Sequence, residues 1–267
     1  MILCITNKCS MGCTHCLSDC KPDGEHITLE QFKKNLAYAI KLKTYQPILI
    51  SGGEPLEHPY FMKIMYELVR VSNEYKNKPI ITIITNGYPL LKEPVLYDWY
   101  VSIIKENPHI ITQVTNWYPY YPYKFTKEDK KLINKIPNTV LDDDASHLRM
   151  YPQGRALDLN PKLYCTKGPK CGDVILIALQ NKTPMFKNAS SLFELMGGMF
   201  HKFCHPRINI DGSIAIGESA LCPTIGNIED DDRELYKKIL KFNCRKCTYA
   251  WNVLSKNTKV MDILNNR

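Results

Sequence analysis

No stretch of the 267-residue chain is apolar for long enough to cross a bilayer as a helix. The longest run, around Val174–Leu179, is far short of the roughly 20 residues such a span needs. The first residues lack a basic start followed by a long apolar stretch, so no signal peptide is visible. No dense Lys/Arg tract marks a nucleic-acid groove, although Lys plus Arg outnumber Asp plus Glu by 35 to 27, a net charge of +8. Nucleic acid is therefore not expected as a partner, while an anionic substrate would suit the charge. Internal repeats and low-complexity segments are also missing. Because 44% of residues are hydrophobic and 23% charged, global disorder is excluded. These absences predict a cytoplasmic globular protein without a membrane partner, built as one domain or one domain with a small appendage.

Cysteine, by contrast, is abundant. There are 11, an odd number in a chain too long to be a small disulfide scaffold. In a reducing compartment clustered cysteines are more often metal ligands or catalytic thiols than bridges. Around them, short β-branched runs alternate with longer amphipathic stretches. Strands are expected at Met1–Thr6, Pro47–Ser51, Ile80–Thr85, Ile110–Thr115 and Thr139–Asp142, with Asp173–Leu179 as a sixth apolar run. Helices are expected at Leu29–Leu42, Phe61–Tyr75, Leu91–Lys105 and Lys127–Lys135. That alternation implies βαβ units around a parallel sheet, open or closed into a barrel, with chemistry at the C-terminal strand ends. After about residue 180 the pattern changes. Ser191-x-x-Glu194 reads as a capping box. Arg207–Ile210 and Ser213–Ile216, joined by Asp211-Gly212, read as a hairpin. The Trp117–Tyr123 segment is an aromatic loop after the fourth strand that either lines a pocket or packs on the barrel mouth.

Cys9, Cys13 and Cys16, spaced x3 and x2, follow the first strand. Three thiolates in one loop wrap a single site, and soft sulfur selects zinc, Cu(I) or an iron–sulfur cluster. Zinc would need a fourth ligand such as Cys4, Cys20 or His15. A [4Fe–4S] cluster on three cysteines keeps one iron open. The CxxxCxxC pattern, with the ring of His15 just before the last cysteine, resembles the defining motif of the radical S-adenosylmethionine (SAM) superfamily. Ser51-Gly52-Gly53-Glu54-Pro55, ending the second strand, resembles the GGEP motif that holds the methionine amino group of SAM in that family. Thr85-Asn86-Gly87 ends the third strand as the family's TNG does. Gln113, Thr115 and Asn116 end the fourth, where the family places polar side chains near SAM, and Gly154-Arg155-Ala156 resembles its GRA element. The resemblance covers roughly residues 1–180. It implies an α/β fold, a partial (β/α)6 TIM-like barrel, with Gly52, Gly53, Glu54, Pro55, Thr85, Asn86, Gln113, Thr115, Asn116 and Arg155 as SAM-binding residues.

Cys204, Cys222 and Cys244-x-x-Cys247 form a second set, which on residues alone fits either a zinc-ribbon-like knuckle or a fully ligated iron–sulfur site. The spacing resembles the opening signature of the twitch and SPASM extensions of radical SAM enzymes, as does Pro223-x-x-Gly226-Asn227-Ile228. That resemblance implies a barrel over 1–199 and a hairpin-plus-helix auxiliary cluster domain over 200–267. Two [4Fe–4S] clusters and SAM are then the expected cofactors, with a flavodoxin- or ferredoxin-type electron donor. Cys165 and Cys171 are candidates for a hydrogen-atom donor, although a plain reduced thiol pair fits them as well.

The chemistry so implied is reductive cleavage of SAM to a 5′-deoxyadenosyl radical and removal of a hydrogen atom from substrate. Oxidative modification of a ribosomally made peptide (a crosslink, thioether or dehydrogenation) is the expected outcome, on family frequency alone. A twitch-type dehydrogenase or epimerase acting on an aminocyclitol or sugar is the alternative. With the first strand starting at Met1, no fused leader-binding domain is expected, and a separate leader-recognition protein would take its place. A non-catalytic iron–sulfur or zinc protein is the reading from another class. It has no use for an ammonium-binding carboxylate at a strand end.

Overall fold

The computed structural model describes residues 1–41, 47–76, 78–145, 154–159, 206–215, 223–231, 234–235 and 238. Strand β1 (Ile2–Thr6) is buried at every position, as expected of a strand covered on both faces. It is followed by α1 (Leu29–Lys41), β2 (Ile48–Gly52), a 3-10 turn (Pro55–Glu57) and α2 (Phe61–Asn73). Then come β3 (Ile81–Thr85), α3 (Tyr88–Lys92), α4 (Pro94–Glu106), β4 (Ile110–Thr115), α5 (Lys127–Ile133) and β5 (Thr139–Asp142). A second 3-10 turn (Gly154–Asp158) precedes β6 (Arg207–Ile208), β7 (Ser213–Ala215) and β8 (Thr224–Asn227).

The strands form one sheet in the order β5-β4-β3-β2-β1-β6-β7-β8. From β5 through β1 to β6 all pairings are parallel, and β6-β7-β8 are antiparallel. The mixed α/β class with a parallel sheet is as the alternation of elements predicts. Period two along the strands sends Leu3, Ile5, Ile48, Ile50, Ile81 and Ile83 to the helix side, where they are buried. Phe32, Leu36 and Ile40 of α1 and Phe61, Ile64, Met65 and Leu68 of α2 meet them, spaced so that one stripe of each helix faces the sheet.

Two local expectations are corrected. The single helix expected over Leu91–Lys105 is two, α3 and α4, broken at Glu93 with φ −120° and ψ 90°. Pro94 forces this, since its ring disfavours helical backbone at the residue before it. The hairpin expected around a two-residue turn closes instead through Asn209–Gly212, where Gly212 N–H donates to Asn209 O at 3.0 Å. Only Gly212 takes positive φ, +81°, whereas a two-residue type I′ turn needs it at both central positions. The first strand of this hairpin pairs directly along β1, Ile2 with Arg207 and Leu3 with Ile208. The expected strand Asp173–Leu179 and the capping box Ser191–Glu194 lie outside the described residues. No helix among the described residues is long and apolar enough to cross a membrane.

Candidate cofactor site

The C-terminal ends of β1 to β5 gather on one edge, and the loop from β1 to α1 carries Cys9, Cys13 and Cys16 across it. Backbone bonds pin this loop at its base: Asn7 N–H donates to Glu25 O at 2.7 Å and Cys9 N–H to Lys21 O at 2.9 Å. Three other segments hold it from outside. Glu57, in the turn after β2, accepts from Ser10 N–H at 3.0 Å and from Ser10 Oγ at 2.8 Å. Tyr120 O, in the aromatic loop, accepts from Thr14 N–H at 3.0 Å. Arg155 donates through Nε to Cys13 O at 2.8 Å.

The thiols are free, Cys13 buried and Cys9 and Cys16 half-buried. Burial pushes the Cys9 thiol up to about 11 and Cys13 up to about 12, so both are neutral without a cation nearby. The neighbouring Cys20 holds the Cys16 thiol below the ordinary range and is itself pushed up by the same contact, while its Sγ donates to Gly52 O at 3.8 Å. Among the described residues no three His, Cys, Asp or Glu side chains converge to hold a single metal ion. A set of soft donors, sheltered and rigidly held, fits an iron–sulfur cluster, whose irons supply the positive charge that makes buried thiolates tolerable.

Glu54 stands beside this loop, 1% exposed. Its Oε1 accepts from Thr85 Oγ1 at 2.6 Å and Leu56 N–H at 3.1 Å, and its Oε2 from Asn86 N–H at 2.7 Å. The GGEP and TNG segments are thus bonded to each other through one carboxylate. Asn86 Nδ2 is 4.0 Å from Cys9 Sγ, which brings that carboxylate to the edge of the triplet. No cation among the described residues lies within ion-pair distance of Glu54. Burial pushes its pKa from 4.5 up to about 7 despite the three bonds.

A pH dependence follows from that shift. The folded pKa lies above the unfolded one, so the folded chain holds an extra proton between them. Its contribution to stability is full below about pH 4.5 and is lost, by about 3 kcal/mol, as pH rises through 7. Denaturant titrations of the cofactor-free Glu54→Gln variant should therefore show a flatter pH profile than the wild type between about pH 5 and pH 8. Parallel profiles would mean that Glu54 is already ionised at neutral pH.

The two glycines before Glu54 allow a close approach, and what they approach is the chain's own backbone. A Cβ on Gly52 (φ +138°) would stand 2.1 Å from Thr6 O, and one on Gly53 1.9 Å from Lys8 O. Pro55 opens the 3-10 turn that Glu54 caps. Thr85 Oγ1, besides donating to Glu54, accepts from Gly87 N–H at 3.0 Å, and Asn86 Oδ1 accepts from Tyr88 N–H at 2.9 Å. At the end of β4, Thr115 Oγ1 pairs with Tyr121 OH at 2.8 Å, and Asn116, the next residue, donates through Nδ2 to Tyr123 O at 2.9 Å. These two residues tie the aromatic loop to the strand end. Gln113 is half-buried on the same strand face as Thr115.

The aromatic loop lies over the triplet. His15 is 4.9 Å from the Tyr121 ring and 5.5 Å from Trp117, and Met11, Cys13 and Tyr121 are buried together. Burial lowers the His15 pKa to about 4, so its ring is neutral and adds no charge beside the cysteines. Cys4 is buried within β1. A cavity of about 600 Å³ opens between the loop and the hairpin, with Cys4, Asn7, Cys20, Gly52 and Arg207 on its wall. Cys165, Cys171, Cys204, Cys222, Cys244 and Cys247 lie outside the described residues. The contacts of Ser10, Asp19 and Glu57 were not legible in the sequence, because a lone polar residue near a motif has no periodicity or spacing to mark it.

Residues 3–106 match the family model of the radical SAM superfamily. No curated protein matches the sequence. Among solved structures, Streptococcus suis SuiB bound to its precursor peptide SuiA is 14% identical with a TM-score of 0.53, covering 91% of this chain and 67% of that one. Native anSMEcpe with bound AdoMet and the Cp18Cys peptide is 13% identical with a TM-score of 0.50, covering 100% and 99%. BtrN in complex with AdoMet and 2-DOIA is 14% identical with a TM-score of 0.48, covering 95% and 86%. The first two likenesses show a shared fold.

Proposed function

We propose that the chain is a radical SAM enzyme, with a [4Fe–4S] cluster on Cys9, Cys13 and Cys16 and SAM beside it. The observation that carries this reading is the buried Glu54 carboxylate, bonded to Thr85 and Asn86 at the edge of the triplet and without an ion-pair partner among the described residues. When bound, the cluster and SAM supply one-electron cleavage of the sulfonium and a 5′-deoxyadenosyl radical. The chain's residues do the rest. Glu54 receives the amino group of SAM, and the partner's hydrogens draw its pKa back down, so that the proton it holds when alone is released. Thr85 and Asn86 keep the carboxylate aimed. His15, Trp117 and Tyr121 cover the loop and exclude water, which sharpens every electrostatic contact inside.

The finer reading is an oxidative radical SAM enzyme of the twitch type, with a barrel over 1–199 and an auxiliary cluster on Cys204, Cys222, Cys244 and Cys247. Its preferred substrate is a ribosomally made peptide, with an aminocyclitol or sugar as the alternative; SuiB and anSMEcpe are each bound to a peptide. The cavity of about 600 Å³ is within the usual range for small-molecule sites and would take either a small metabolite or one peptide side chain. Counting iron, sulfide and zinc per chain after anaerobic reconstitution tests this. About eight irons support the twitch reading, and about four with one zinc leave a single-cluster enzyme with a structural tail. Zinc without iron would refute the proposal.

A further inference from the structure

The resemblance assigns Arg155 to SAM, whereas its guanidinium bonds run to the cysteine loop instead. Gly154, with φ +54°, lets its segment lie flat against the cysteine loop, where a Cβ would stand 2.4 Å from Cys16 O. From there the Arg155 backbone N–H donates to Cys16 O at 3.0 Å. Its Nε donates to Cys13 O at 2.8 Å, and Nη1 to Cys20 O at 2.9 Å and to Asp19 Oδ1 at 2.8 Å. Asp19 sits in the left-handed region, φ +49°, a conformation that Asp tolerates better than most residues. Three of the five N–H donors of the guanidinium are thus engaged by the loop that carries the last two cysteines of the triplet.

We propose that Arg155 is a positioning residue: it fixes the cysteine loop and, through its permanent charge, makes a cluster held there easier to reduce. This rests on the functional reading above. One-electron reduction adds a negative charge to the cluster, and a guanidinium that is only 27% exposed is weakly screened at such short range. Hydrogen bonding, nearby charge and solvent exposure are the recognised controls on cluster potential.

The test compares wild type, Arg155→Gln, Arg155→Lys and Asp19→Asn in the full chain, reconstituted anaerobically. Each is poised at one potential, and the reduced fraction is read from the EPR signal that changes when SAM is added. Relative to wild type, Arg155→Gln should lower the reduced-to-oxidised ratio about tenfold, equivalent to about 59 mV for one electron. Arg155→Lys should restore it to within about threefold, and Asp19→Asn, which leaves the cation uncompensated, should raise it. SAM affinity should stay within about threefold throughout. An unchanged ratio in Arg155→Gln with SAM affinity lost would overturn the inference and make Arg155 a SAM ligand. If Arg155→Gln takes up no iron, the other two variants decide: a ratio in Asp19→Asn that stays level or falls overturns the charge argument. A wild type with no reducible cluster defeats the functional reading itself, so the two failures are distinguishable.

Discussion

Replacing Gly53 with alanine is expected to abolish the cofactor site. The added Cβ would stand 1.9 Å from Lys8 O and 2.5 Å from Lys8 C, and a backbone obstacle cannot rotate aside as a side chain can. Two bonds cross the same contact, Gly53 N–H to Thr6 O at 2.6 Å and Glu54 N–H to Lys8 O at 2.8 Å. Relief of the clash must therefore push Lys8, and with it Cys9, away from Glu54. A displacement of about 1 Å at a reacting site costs on the order of a hundredfold in rate, and the overpacking itself costs about 1–3 kcal/mol. The expected result is a chain that melts earlier and, after reconstitution, binds iron poorly and shows at least that loss of SAM cleavage. Gly12→Ala is the matched control. Its φ of +65° lies in the left-handed region, which Gly53 does not occupy, but nothing lies within 4 Å of the new Cβ, so the cost is limited to about 1–2 kcal/mol of backbone strain.

The second large effect is on Cys13→Ala. Cys13 is the most buried of the triplet, at 8% exposure, and its backbone carbonyl is held by Arg155 Nε. The loop is pinned by main-chain atoms and by Glu57, Tyr120 and Arg155, so loss of one sulfur should leave the fold intact. The variant should be as soluble and nearly as stable as the wild type, yet lack about four irons per chain. Full iron content in Cys13→Ala would show that the triplet is not where the cluster sits.

Much of this was legible in the sequence because it is written in periods and spacings. The alternation of Leu3, Ile5, Ile48 and Ile50 against Phe32, Leu36 and Ile64 fixes the sheet and its helix-covered face. The triplet and Glu54 announce themselves through spacing. What stayed hidden depends on which backbone atoms meet across the fold. Gly52 and Gly53 read as room for a ligand, whereas their immediate neighbours are Thr6 and Lys8. Thr115 and Asn116 read as polar groups at a strand end, and their bonds run to Tyr121 and Tyr123. Pro94 split a helix that periodicity alone extends through Glu93, and a turn residue's φ decided the length of the hairpin loop. Glu57 and Asp19 hold the loop through contacts 47 and 136 residues apart in sequence, a separation no local pattern reports.

The central claim is that Cys9, Cys13 and Cys16 together with Glu54 hold a reducible cluster and SAM in one site. Its most direct test is to reduce the reconstituted protein anaerobically with excess SAM and measure 5′-deoxyadenosine and methionine, with Cys13→Ala and Glu54→Gln beside it. The account predicts both products in equal amounts from the wild type, none above background from Cys13→Ala, and a strongly reduced yield from Glu54→Gln. Wild-type yields no higher than those of Cys13→Ala, from a protein shown to hold its iron, would contradict it.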